Sequence, residues 1–234
     1  MKYIIMSLFL GMILLVNAQE IKTKEEIKAE REQLKSELKA NSKDAEKIEK
    51  KLNELAPVGG TMSDFIKATL ATAIPVALQE SAFPAIERLA GKEPARIINK
   101  PQTTGLNSVD GLVDAGSGLL GVVVASNAVL QEYKTEVLES GDGEIDITKY
   151  KAKKDDYAAI LPILVQASAD AATAAAQIKD VQNDVKGLNP MKAVSTIKSS
   201  KWAIDAVEVS SKKIAENKKW LESIINSIKA AGNL

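Results

Sequence analysis

The chain has no cysteine and no histidine, and only nine of its 234 residues are aromatic: two Trp, four Tyr and three Phe. Without cysteine there is no disulfide, no thiolate nucleophile, no thiolate metal site and no lipid-carrying residue. Without histidine, Ser-His-Asp catalysis and His-liganded zinc are excluded. So few aromatics leave little for the stacking platforms that hold sugars or single strands. One-sided charge is missing too. The 31 basic and 31 acidic residues cancel, so no overall basic field marks a nucleic-acid binder. What is present is 45 % hydrophobic and 26 % charged residues, enough apolar side chain for a core.

Residues 1–18 read as a secretory signal peptide. Lys2 supplies the positive start, residues 3–16 an uncharged apolar run, and Val16-Asn17-Ala18 the small residues of a cleavage site. The run of 14 residues is shorter than the roughly 20 that span a bilayer. The expected product begins at Gln19 and is extracytoplasmic, periplasmic or secreted. It cannot be a lipoprotein, because no cysteine follows the cleavage site.

Residues 20–56 hold twenty charged side chains, ten of each sign, and no Gly or Pro. Thr23 and Glu26 have capping-box spacing. Behind them runs a 3-4 spaced seam of Ile27, Leu34, Leu38, Asn41, Ala45, Ile48, Leu52 and Leu55, with Arg31 in the same register. So narrow a stripe on so charged a helix predicts a coiled-coil arm, with Asn41 setting register and strand number. The alternative is a helix folded back on its own chain. Pro57 and Gly59-Gly60 end it.

From residue 57 the composition turns to Ala, Ile, Val, Leu, Ser and Thr, and the expectation is an all-α domain, 57–234, of about four helices. Thr61 and Asp64 make a second capping box, opening a helix to about Ala90 that Pro75 and Pro84 must kink or break. Residues 91–108 read as a loop. A Gly-weakened helix follows to about Glu139, then a turn-rich link, a helix over 155–186, and a last helix opened by Asn189-Pro190. The Ala-rich run 167–176 belongs inside a bundle, where small side chains let helix axes approach. Only the short stretch 144–147 hints at a strand.

Two motifs carry less than they promise. Gly116-Ser117-Gly118-Leu119-Leu120-Gly121 matches G-x-G-x-x-G, but the preceding residues, with Asp110, Gly111 and Asp114, form no strand that could feed a nucleotide turn. Close helix packing is expected there, and no nucleotide. Gly141-Asp142-Gly143-Glu144-Ile145-Asp146 resembles half an EF-hand loop. With its invariant glycine at Gly143, position 1 would be Leu138 and position 12 Lys149, which removes the ligands that matter most. No metal or other cofactor is expected.

On a wheel of about 100° per residue, the last helix gathers Trp202, Ala206, Val207, Ile214, Trp220, Leu221, Ile224, Ile225 and Ile228 within an arc of about 140°. Ser210, Lys213 and Asn217 intrude on that arc. Residues 186–234 carry nine Lys against four acids, whereas residues 57–185 carry eleven basic and seventeen acidic side chains. The helix can therefore pack on an acidic bundle. It can also present Trp202, Ile214, Trp220, Leu221 and Ile225 to an anionic membrane or a partner. The uncharged stretch 115–131 is a core helix by its shortness, with a membrane-spanning role as the alternative.

These features lead to an exported, non-enzymatic structural or interaction protein of the cell envelope. It is expected to self-associate or bind a protein partner through its arm. A membrane-active helical protein is the alternative. Carboxylate chemistry at Asp155, Asp156 or Asp170 has no supporting spacing, and adjacent Asp155 and Asp156 suit a helix start.

Overall fold

The computed structural model describes residues 22–141 and 144–232. The expected signal segment, 1–18, and Asp142 and Gly143 of the EF-hand-like run lie outside them. The architecture is an all-α bundle. Its helices are α1 (Lys24–Ala40), α2 (Ser42–Leu55), α3 (Met62–Phe65), α4 (Ala71–Ala73), α5 (Val76–Ala90), α6 (Asn107–Glu139), α7 (Thr148–Lys151), α8 (Lys154–Lys186) and α9 (Pro190–Gly232).

Three long helices, α6, α8 and α9, make the trunk. Gly116 lies against Ala206, Ser126 is bonded by Asn217, and Tyr133 meets Ser223. That near-constant offset means α6 and α9 run parallel and pack directly on each other, with α8 antiparallel against both. Stretch 115–131 forms the centre of this trunk, with Leu119–Ser126 buried throughout. It is a core helix.

The glycines of α6 act through what they leave out. A Cβ on Gly116 would stand 3.0 Å from the Ala206 Cβ, and one on Gly121 would stand 3.1 Å from the Thr69 Cγ2. Gly118 faces Ala73. The G-x-G-x-x-G run therefore lies in mid-helix and admits neighbours on two sides. That placement rules out the strand-to-helix turn that a dinucleotide needs.

Residues 61–90 form a helical path with two interruptions. Thr61 caps it, its Oγ1 accepting from the Asp64 amide. A π-helical turn at Ile66–Leu70 follows, and the chain breaks at Ile74, which precedes Pro75 and takes an extended backbone (φ −105°, ψ 134°). Pro84, by contrast, is accommodated inside α5. The sequence hint of a strand at 144–147 is corrected: those residues form no strand. The two strands among the described residues are β1 (Val58–Thr61) and β2 (Pro94–Arg96), paired antiparallel. Gly60, at φ +79°, turns the chain between α2 and α3.

The charged N-terminal segment departs most from expectation. Its capping box forms fully, with the Glu26 amide donating to Thr23 Oγ1 at 3.3 Å and the Thr23 amide donating to Glu26 Oε2 at 2.7 Å. The arm does not project, however. α1 and α2 break apart at Asn41 and lie back along the trunk, mainly on α9. Ile27, Leu34, Leu52 and Leu55 are buried within their own chain. The free coiled-coil arm is thus replaced by a two-helix strap, because both ends of the seam find apolar partners intramolecularly.

Candidate functional site

The strap is held down by polar contacts as well as by its seam. Arg31, in register with the seam, donates to Ser227 Oγ at 2.8 Å and to Tyr133 Oη at 3.3 Å. Tyr133 in turn meets Ser223 Oγ at 3.0 Å. Farther along, Lys35 donates to the Ser140 carbonyl, Lys219 pairs with Glu37 at 2.8 Å, and Lys51 pairs with Asp205.

A second network crosses the trunk. Lys134 on α6 donates to Glu216 Oε1 at 2.9 Å and to Asn217 Oδ1 at 2.7 Å, both on α9. Asn217 Nδ2 returns to Ser126 Oγ and Asn127 Oδ1, each at 2.8 Å. Lys213 donates to Glu216 Oε2 at 3.1 Å and stands 3.9 Å from Glu49 of α2. Glu49 accepts from Arg96 of β2 at 2.9 Å. Burial pushes the Lys134 ammonium below its ordinary pKa, against the pull of Glu216. Burial alone would raise the Glu216 carboxyl, but Lys134 and Lys213 outweigh it and hold that carboxyl below the usual value. Such a closed chain of donors and acceptors fixes helix register. It also explains two intruders on the apolar arc: Lys213 and Asn217 are, with Glu216, the α9 members of this network.

Aromatic side chains cluster beside it. Tyr133 packs edge-on against Tyr150 and Trp220, with ring centroids 5.6 and 6.1 Å apart, and Tyr157 extends the group. Tyr150 donates to Glu136 at 2.6 Å, and Lys149 pairs with the same carboxylate at 2.5 Å. Burial raises the pKa of Tyr150 and Tyr157 well above the usual phenol value.

Of the two uses open to the arc read from the wheel, the helix takes packing on the bundle, and the alternative of a membrane or partner face is not left to these residues. Ile214, Trp220, Leu221 and Ile225 are buried in the trunk, and Trp202 is half-buried. Their arc is the surface that α9 gives to α6, α8 and the strap. The Ala-rich run divides. Ala167, Ala171 and Ala174 are buried, whereas Ala169, Ala172, Ala175 and Ala176 face solvent.

The carboxylates weighed for chemistry are scattered. Asp156 is clamped by Arg88, with Nη2 to Oδ1 at 2.6 Å, and Asp155 shares the first turn of α8. Asp170, one α8 turn from Gln166, accepts from it at 2.9 Å. Among the described residues no three acidic side chains stand close enough to hold a metal ion.

Three openings stand out among the described residues, one of them a groove of about 540 Å³ between the start of α1 and the end of α9, beside Ile27, Arg31, Ile145 and Ala231. A groove of about 730 Å³ lies between the first half of α6, the middle of α8 and the Thr69–Pro75 segment. Its walls are mostly short side chains such as Thr69, Ala73, Ser117 and Ala174, and Lys100 bridges to Asp114 at its edge at 2.6 Å. A smaller groove of about 190 Å³ runs along the strap, between Asp44, Ile48, Lys51, Glu208 and Lys212. The seam residues divide by position around it. At mid-seam Leu38, Ala45 and Ile48 are only half-buried and Asn41 is exposed. Compared with family models, curated proteins and solved structures, the chain matches none of them.

Proposed function

We propose that the chain is an exported, non-enzymatic interaction protein of the cell envelope that meets a protein partner or a second copy of itself through the mid-seam of its α1–α2 strap. One observation carries this reading. The ends of the seam are spent inside the chain, but Asn41 is exposed and Leu38, Ala45 and Ile48, although Leu38 and Ile48 pack against the core, keep part of their surface open around the break between α1 and α2. An apolar strip with a single Asn is what a second helix needs for knobs-into-holes packing and register. Such a strip can be contacted with the strap in place. Export rests on the pattern of residues 1–18, and the absence of catalysis on the residue types that the chain lacks.

Light scattering tests the contact. The parent is expected to be a dimer or larger, or to retain a partner. Leu38→Glu with Ile48→Glu should give a monomer with unchanged helix content. Parent and variant of equal mass, with no partner lost, would reject the mid-seam as an interface.

A further inference from the structure

The trunk is uneven at its two ends. Carrying the Gly116–Ala206 offset back along the parallel helices puts the first residue of α6 level with about residue 197 of α9. The last turns of α8, the turn at 187–189 and the first turns of α9 therefore run past α6 as a two-helix tip.

Two of the exposed large apolar side chains lie on that tip, one turn apart: Val194 at 61 % exposure and Ile197 at 48 %. The charge around them is one-sided. Residues 185–204 contain Lys186, Lys192, Lys198 and Lys201 and no acid, in a chain whose total charge is zero. Reaching back to residue 179 adds Lys179, Asp180 and Asp184, which leaves the tip at +3 (five Lys, two Asp). Lys186, Lys198 and Lys201 are exposed and make no ion pair among the described residues. At the opposite end Lys134, Lys149 and Lys219 are paired with carboxylates, and although Lys151 and Lys154 are not among the described residues, residues 144–157 around them balance four Lys with four acids.

We infer that the α8–α9 tip is a docking surface for anionic lipid, with Val194 and Ile197 seated in the headgroup region and Lys186, Lys198 and Lys201 against the lipid phosphates. Charge complementarity argues for this occupant. Two aliphatic side chains fall far short of the roughly 800 Å² per partner of a stable protein interface. A lipid surface asks for no shape match: a few inserted apolar groups and several unpaired cations suffice. The surface is distinct from the mid-seam and stands or falls without it.

Co-sedimentation of the purified exported form with phosphatidylcholine vesicles, with and without phosphatidylglycerol, tests the inference. Binding is expected only with phosphatidylglycerol and should fall as salt rises, since screening shortens the reach of the lysines. Lys198→Glu with Lys201→Glu should weaken binding about tenfold or more. Lys151→Glu with Lys154→Glu, the same change in charge at the end of α7 and the start of α8, should leave it within about twofold. Val194→Ser with Ile197→Ser should weaken it several-fold while keeping the salt dependence. Equal binding to both vesicle types, no binding to either, or equal losses from the tip and far-end charge variants would each overturn the proposal. So would retention on a soluble polyanion with none on the anionic vesicles.

Discussion

The two ends of the trunk are built by different means. At one end Tyr133, Tyr150, Tyr157 and Trp220 fill the space between helices, and ion pairs and hydroxyl bonds tie the strap and α7 over them. At the other, the buried side chains of α8 and α9 are small: Ala171, Ala174, Val181, Ala193, Thr196 and Ser199. Large side chains separate helices and bury much apolar area for each contact. Small ones bring the axes close but bury little. The aromatic end is therefore the stable half of the molecule, and the hairpin end is free to present side chains outward.

That contrast can be broken most directly at Trp220. Trp220→Ala removes the largest fully buried side chain and its edge-on contact with Tyr133, and should cost about 3–5 kcal/mol in denaturant unfolding. Val194→Ser at the hairpin end should stay within about 0.5 kcal/mol of the parent. Comparable losses at the two sites would remove the distinction.

Acid sharpens it. Burial would raise the Glu136 carboxyl, but the Lys149 ammonium and the Tyr150 hydroxyl outweigh it and hold its pKa below the ordinary 4.5. A depressed carboxylate stabilises the fold fully above its unfolded pKa, and that contribution disappears as pH falls through the folded value. The melting temperature should therefore decline as pH drops below 4.5, and Glu136→Gln should flatten the decline. An unchanged pH profile in the variant would show that Glu136 does not stabilise the aromatic end.

The smallest effect is expected along α6. A Cβ on Gly111 meets nothing within 4 Å, so Gly111→Ala should stabilise by about 0.5–1 kcal/mol through helix propensity. Gly116→Ala must push against Ala206 and should destabilise. If both raise the melting temperature, the close approach of α6 and α9 is not needed.

The periodic parts of this architecture are legible in the residues. The Thr23–Glu26 box, the Asn189-Pro190 start and the apolar arc of α9 are short-range patterns, and each is realised. The intrusions of Ser210, Lys213 and Asn217 were visible as well, yet their meaning was not. Lys134, Asn127 and Ser126, which answer Asn217, lie about eighty to ninety residues away, and Glu49, which faces Lys213, lies farther still. The strand pair was missed for the same reason, because β1 and β2 are joined only across residues 62–93.

Local pattern alone settles that this chain is helical, where most of its helices start and stop, and which stripe of each helix is apolar, since backbone capping and side-chain period act over a few residues. It does not settle what each stripe meets. The same 3-4 seam suits a second chain or the chain's own trunk, and the arc with Trp220 suits a membrane or a core. Tertiary packing decided those questions: the seam ends and the α9 arc closed on apolar partners within the same chain, which left solvent to the mid-seam and the lysine-bearing tip.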